Sequence, residues 1–348
     1  RTYNHCACRG DRLHRFNDQV YRVRFMITAI APCRINDLGG WTDTRWAKHG
    51  VVHSIAVWPG AEVQIDEKPG IISSVSIENY DAFIYTHIHD NKALKKAHPA
   101  IAAVFKASLS PEDRISVNIF SGMPPGSGVG TSAAVMVALT SAINKWRPRK
   151  AFKTLDTSHN LEAGTGAETG VQDNLSAMWG GVRRYEIEYP WGHFSNSTTG
   201  DLSHEYFAEI ESRLILVYLG KAHVSSDVHK QVIENLGANP DTSDPVKCLR
   251  KIASEAGTAL ERGDWEEYGN LMRANTECQR KLWAGTISKD AENVFGIALK
   301  HGALGYKVNG AGGDGGSVTI LTDGDTAKKR RLEKVFEEKG FKVIPISI

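Results

Sequence analysis

No stretch of the 348 residues is long and apolar enough to cross a bilayer as a helix. An excess of one charge is missing too. The chain has 42 Lys and Arg against 40 Asp and Glu, a net of +2, so no general attraction to nucleic acid or to an anionic membrane surface is implied. The first residues lack a basic segment followed by an apolar core and a small-residue cleavage site. Cysteine is sparse and odd in number. Cys6 and Cys8 lie near His5 and His14 in no usual zinc spacing, and Cys33, Cys248 and Cys278 are scattered, so no disulfide scaffold is expected. Internal repeats and low-complexity segments are absent as well. What remains is an ordinary globular composition, 41% apolar and 24% charged, in a chain long enough for one large or two ordinary domains. A cytoplasmic protein is the expectation. The chain opens on Arg1, and residues 1–19 are expected to be an irregular tail outside the fold.

Alternation and β-branched residues predict strands in "YRVRFMITAIAP", ending at Pro32, and in "GVVHSIAVWPGAEVQIDE" and "IISSVSIENYDAFIYTHI". Helical spacing follows in "NKALKKAHPAIAAVFKAS", then a strand in "RISVNIFSGMP". Residues 131–146, "TSAAVMVALTSAINKW", predict a helix apolar on nearly every side and therefore internal. In the second half "RLILVYLG" predicts a buried strand, and residues 223–302 are mostly helical, with Asp264 and Ser288 placed as N-caps. A strand–glycine-loop–strand unit, a charged helix and a last strand complete the chain. The pattern is α+β in two parts, with a boundary near residues 190–212.

Glycine is where the sequence concentrates its chemistry. "PPGSGVG" separates a strand from the helix at Thr131, so free N–H groups and the positive helix end face whatever occupies the loop. Gly126, Gly128 and Gly130 let the backbone approach closely, as an anion with several oxygens requires. Thr131 and Ser132 place hydroxyls at the helix start, where they meet a phosphate or its magnesium, or merely cap the helix. No Lys precedes Thr131, so the loop is not a Walker loop. A second loop, "NGAGGDGG" at 309–316, has no helix immediately behind it. Its glycines are explained by close packing against another loop or a ligand. Two such loops far apart in sequence point to one nucleotide site assembled from both halves.

Two further stretches carry polar groups. In "APCRINDLGGWTDT", residues 31–44, a turn presents Trp41, Thr42 and Asp43. Asp is a good acceptor for neighbouring sugar hydroxyls and Trp offers a face to a sugar ring; a plain turn with a Trp anchor is the other reading. In "LEAGTGAETGVQDNLSAMWGG", residues 161–181, Glu162 lies on a predicted helix and Asp173 follows a loop. Phosphoryl transfer needs a carboxylate for Mg²⁺ and often another near the attacking hydroxyl. The structural alternatives are an N-cap for Asp173 and a solvated helix face for Glu162, while Glu168 competes for the metal.

Together these stretches resemble the GHMP kinase superfamily over about residues 25–346. "APCRINDLGGWTDT", "PPGSGVGTSAA" and "KVNGAGGDGGSVTIL" stand in the order of its three motifs. The resemblance implies a two-domain α+β fold: a domain like ribosomal protein S5 over residues 20–200 and a ferredoxin-like α+β domain over 201–348. It implies ATP held by Pro125, Gly126, Ser127, Gly128, Val129, Gly130, Thr131 and Ser132, and Mg²⁺ held by Ser132 and Glu162. Asp173 matches the catalytic aspartate. Arg34, Asn36, Gly40, Trp41, Thr42 and Asp43 are the expected substrate-binding set, with Gly310, Gly312, Gly313 and Asp314 from the third motif.

Asp314 departs from the motif, which has glycine there, and Gln172 precedes the aspartate where mevalonate kinases have no such residue. "GGWTD" and "QD" are similar to the branch of D-glycero-D-manno-heptose phosphate kinases and fucokinase-like enzymes, which phosphorylate an anomeric hydroxyl. The expectation is an ATP-dependent sugar kinase acting on D-glycero-D-manno-heptose 7-phosphate. The alternatives are a kinase of a free sugar or a catalytically silent sugar sensor. A phosphorylated acceptor needs a cationic pocket, for which Arg34, Arg45, Lys48, Arg183 and Arg184 are candidates. The expected partner is a small sugar or sugar phosphate, not nucleic acid or membrane, and a homodimer is the commonest assembly for such a chain.

Overall fold

The computed structural model describes residues 26–67, 72–78, 83–148, 153–164, 169–189, 193–198, 203–222 and 225–348. The expected tail lies outside them, as do residues 190–192 and 199–202 of the expected domain boundary. The first half contains β1 (Ile27–Leu38), β2 (His49–Glu67), β3 (Ser74–Glu78), β4 (Phe83–Thr86), α1 (Lys92–Ala97), α2 (Pro99–Ser108), β5 (Ile115–Ser121), α3 (Thr131–Trp146), α4 (Thr154–Ala163), α5 (Gln172–Trp179), β6 (Val182–Glu188) and β7 (His193–Thr198). The second half follows with α6 (His204–Arg213), β8 (Leu214–Tyr218), α7 (Ser225–Leu236), α8 (Asp244–Glu261), α9 (Trp265–Leu282), α10 (Lys289–Lys300), β9 (Gly305–Val308), β10 (Ser317–Leu321), α11 (Thr326–Glu338) and β11 (Lys342–Ile344).

The first sheet runs β4-β3-β5-β2-β6-β7, with β1 also on β2. Strand β2 organises it. Its N-terminal end pairs β6, its C-terminal end pairs β5, and β1 pairs it between His53 and Ile65. Contrary to expectation, β1 does not end at Pro32 but continues to Leu38. The pairing register shifts between Ala31 and Cys33, and such a bulge accommodates a residue that has no N–H to give the ladder. That extension carries Arg34 to Leu38 into the interior. The single helix expected at residues 91–108 is two, because Pro99 begins α2 after the break at His98. Helix α3 spans the residues expected, packs on β1 and β2, and buries 11 of its side chains, from Thr131 to Ile143.

The second sheet is antiparallel in the order β11-β8-β10-β9, within the α+β second half expected. "LILVY" of β8 reads as an unbroken apolar run because both faces are covered. Ile215 and Val217 join Val294 and Phe295 of α10 and Leu332 and Phe336 of α11 in one cluster. Leu214 and Leu216 belong to a second cluster, shared with α8, α9 and the first sheet. Asp264 and Ser288 cap α9 and α10 as expected, accepting from Glu267 and Ala291 backbone N–H groups. Cys248 and Cys278, expected to be unrelated, form a disulfide that links α8 to α9.

The two halves share a core. Helix α9 packs on β9 while α8 packs on β2. Gly39, at φ +83°, lies at that junction: a Cβ there would overlap the Val51 carbonyl and stand 2.5 Å from the Ala253 Cβ. Gly39→Ala should therefore lose about 2–4 kcal/mol, from overpacking plus left-handed backbone strain. Urea unfolding followed by circular dichroism measures it, and a loss under about 0.5 kcal/mol would mean that α8 is not seated on β2.

Candidate active site

Three loops meet in one cleft of about 360 Å³, a volume suited to a small ligand. Gly126, Gly128 and Gly130 all take positive φ, from +63° to +75°, and line the cleft, while Ser127 and Val129 are buried between them. The carbonyls of those buried residues are anchored. Ser127 O accepts from Ser317 Oγ at 2.6 Å, and Val129 O accepts from the Arg34 backbone N–H at 2.9 Å. No side chain caps α3, so its first-turn N–H groups, beside Thr131 and Ser132, are available to an anion in the cleft. Gly310, from the loop between β9 and β10, completes this wall. A Cβ on it would stand 2.9 Å from the Gly128 carbonyl, so the two glycine loops abut as expected.

Acidic groups face the glycine wall. Asp173 is the second residue of α5 and is not its N-cap. Its Oδ1 accepts from Arg34 Nε at 2.8 Å, and Arg34 Nη1 donates also to the Gly128 carbonyl. Arg34 is buried, and burial opposes its charge, but Asp173 and Asp37 more than compensate and hold the guanidinium ionised. The group at the start of α5 is instead Asp43, whose Oδ2 accepts from the Gln172 N–H at 3.0 Å. Burial pushes the Asp43 carboxyl up to about 7; the Gln172 amide works against that rise and the nearby Asp173 charge adds to it. Gly170 must be glycine beside it, since a Cβ would overlap the Asp43 carboxylate. Trp41, at φ +82°, packs against His229 of α7 with ring centroids 4.5 Å apart and the rings tilted by 43°, and both line the cleft.

Behind the cleft lies an ion pair with no solvent exposure. Asp37 Oδ1 accepts from Lys307 Nζ at 2.8 Å and from the Gly310 N–H at 3.1 Å. Its Oδ2 accepts from Gln172 Nε2 at 3.2 Å. Burial raises the Asp37 carboxyl, but Lys307, Arg34 and the Gly310 amide prevail and hold it below the usual range. Around the pair, Asn36 N–H donates to Asn309 Oδ1 at 2.9 Å, Gly39 N–H to Asn275 Oδ1 at 2.8 Å, and Gln279 Nε2 to Gly310 O at 3.1 Å.

Residues 92–181 match the GHMP kinases N terminal domain, and residues 258–340 match GHMP kinases C terminal. The chain belongs to the GHMP kinases. It is 24% identical over 346 residues to the bifunctional fucokinase/GDP-fucose pyrophosphorylase of Arabidopsis thaliana, covering 91% of this chain but 32% of that protein. It is 23% identical over 230 residues to the D-glycero-alpha-D-manno-heptose 7-phosphate kinase of Campylobacter jejuni, covering 65% of this chain and 66% of that one. Its fold is similar to that of a D-glycero-D-manno-heptose 1-phosphate kinase from Bacteroides thetaiotaomicron, with TM-score 0.68, 18% identity, and coverage of 92% and 95%. The chain thus spans about a third of the first relative's length.

In this member of the GHMP kinase family Gly126, Ser127, Gly128, Gly130, Thr131, Ser132, Asp173, Trp41, Asp43, Arg34 and Gly310 line the common cleft. Val129 is buried and Pro125 half-buried, and neither is among the residues that line the cleft. Asn36, Gly40 and Thr42, expected to bind substrate, are packed under the turn: Gly40 lies against Asp37, and Thr42 bonds the carbonyls of Gly39 and Val51. Gly312 and Gly313 pack against Thr286 and Val228. Asp314 is exposed, pairs with Lys221 at 3.4 Å, and borders a separate hollow. The side chain of Glu162 and all of Glu168 lie outside the described residues, and among those described no group of three or more His, Cys, Asp or Glu could hold a metal. No helix among them is long and apolar enough to cross a membrane. Sequence reasoning missed Asp37, Lys307, Thr169, Gly170 and His229. Asp37 and Lys307 each stand in a strand where nothing local distinguishes them from surface charges.

The elevated Asp43 carboxyl has a measurable consequence. The native state retains a proton that the unfolded chain releases near pH 4, so this group's stabilising contribution is complete below pH 4 and is lost as pH rises to about 7. Asp43→Asn should flatten that part of the stability profile. Urea midpoints at pH 5 and pH 8 test this, and an unchanged difference between the two would mean that Asp43 titrates normally.

Proposed function

We propose that the protein transfers the γ-phosphoryl group of ATP to the anomeric hydroxyl of an uncharged sugar. The observation that carries this reading is the cleft's charge inventory. Among its described lining residues the one permanent cation, Arg34, is committed to Asp173, beside the buried Asp43. The other candidate cations lie elsewhere. Arg45 donates to Asn160, Arg183 to the Gly180 carbonyl, Arg184 pairs with Glu186, and Lys48 is exposed outside the cleft. A second phosphate, as in heptose 7-phosphate, would enter beside the acidic groups of Asp43 and Asp173, with no uncommitted Lys or Arg among the described lining residues to receive it. An uncharged polyol suits Asp43, whose oxygens accept hydroxyls, and Trp41, whose ring offers an apolar face.

In the mechanism the triphosphate lies along the glycine loop and the α3 N-terminus. The acceptor hydroxyl sits between Asp43 and Asp173. Its oxygen forms a bond to the γ-phosphorus as the bond from that phosphorus to the β–γ bridging oxygen breaks. ADP leaves, and the hydroxyl proton passes to Asp173, kept ready by the Arg34 guanidinium on its Oδ1. Positioning and charge stabilisation supply most of the acceleration, and the proton transfer about 10²–10⁴-fold. Oxygen donors at the start of α3 fit Mg²⁺, which takes few protein ligands and keeps phosphate and water for the rest. Ser132 lines the cleft there, and Glu162, in α4 against α3, is the second proposed ligand. The ion would neutralise charge on the transferring phosphates.

ADP release with Mg²⁺–ATP over L-fucose, galactose, mannose, heptose 7-phosphate, sedoheptulose 7-phosphate and mevalonate tests this. Turnover on a free sugar is expected. A preference of more than tenfold in kcat/KM for a phosphorylated acceptor would overturn the uncharged substrate, and turnover of mevalonate alone would overturn the sugar. Asp173→Asn should lose at least about 10²-fold in kcat while still binding ATP. Turnover within a few-fold of wild type would remove Asp173 from the proton transfer.

A further inference from the structure

Gln172 has one satisfied and one unsatisfied end. Its Nε2 donates to Asp37 Oδ2 at 3.2 Å, while its Oε1 is buried with no hydrogen-bond partner among the described residues. The residue is 5% exposed and lines the cleft, and its backbone N–H holds Asp43 while the next residue is Asp173. A buried amide oxygen left without a donor loses about 1–3 kcal/mol of hydrogen bonding. Such an orphan beside the two acidic groups of the cleft calls for a donor from a ligand.

The orientation of the amide is decided by chemistry. Asp37 is paired with Lys307, and an ionised carboxylate can only accept hydrogen bonds. The amide nitrogen must therefore face Asp37, which leaves the oxygen as the free end. We infer that Gln172 Oε1 accepts a hydrogen bond from a hydroxyl of the sugar acceptor, and that Asp37 is the positioning residue that fixes the amide in this sense. The inference rests on the sugar-kinase reading above. Sugar hydroxyls both donate and accept, so Asp43 and Gln172 together form an acceptor pair that selects hydroxyls able to donate.

Deoxy and deoxyfluoro analogues of whichever sugar the wild type turns over test this with Gln172→Met, a change close in length but apolar. Wild type should discriminate against one deoxy position by roughly 10–100-fold in kcat/KM. It should treat the fluoro analogue at that position as poorly as the deoxy one, because fluorine cannot donate. Gln172→Met should lose about the same factor on the parent sugar and show a parent-to-deoxy ratio near 1. Titration calorimetry of acceptor binding gives the same comparison if turnover by the variant is too low to follow. A wild-type ratio retained at every position in Gln172→Met, as a merely structural role would leave it, overturns the inference. So does a fluoro analogue handled as well as the parent, which would put the amide N–H towards the sugar. Wild type that phosphorylates no sugar removes the sugar-kinase reading first, and this inference with it.

Discussion

A lysine and an aspartate, both fully buried and 270 residues apart, form the contact around which the site is arranged. Removing two charges from water is expensive, and their attraction offsets it only when geometry and additional hydrogen bonds satisfy both ions. Here they do. Lys307 also donates to the Val308 carbonyl, and Asp37 takes the Gly310 N–H and the Gln172 side chain. Removing either ion would strand the other, at about 3–5 kcal/mol. The pair therefore fixes the third loop against the first at a defined register, where apolar packing would permit sliding.

From that fixed point the remaining geometry follows. Gly310 is held against Gly128, so the two glycine loops make one wall. Gln172 is held by its side chain, its backbone N–H caps Asp43, and Asp173 is thereby presented to Arg34. Each charged side chain of the cleft wall has its orientation set by a partner that is itself immobilised. In the proposed phosphoryl transfer such preorganisation would let charge stabilisation act without reorganisation at the moment of reaction. The same arrangement leaves Arg34 committed, which is why a residue that looks in the sequence like a phosphate ligand belongs instead to the aspartate.

Much of this was legible in the sequence, for identifiable reasons. Helix α3 and the cap residues Asp264 and Ser288 rest on local periodicity and local hydrogen bonds, which a linear reading captures. The glycine loops were legible because positive φ and close approach leave a compositional trace. Strand β1 was cut short at Pro32 because a bulge that tolerates proline exists only in the paired sheet. Asp37 and Lys307 left no local trace, since each is explained by a residue that only the fold brings near. The disulfide between Cys248 and Cys278 was hidden for the same reason, its partners lying on different helices. Gln172 stood out as unusual beside Asp173, yet its two hydrogen-bonding ends acquire meaning only against Asp37.

The separation of the ion pair along the chain also orders events during synthesis. A polypeptide emerging from its N-terminus exposes "APCRINDLGG" and the first glycine loop long before Lys307 exists to meet Asp37. Strand β1 must therefore either wait open or bury a carboxylate unpaired, which its environment penalises. Loop closure over so long a span comes late, because its entropy is lost before the contact repays it. Interrupted translation would accordingly yield chains in which the cleft is incomplete, and its walls would be brought together only once β9 has been made.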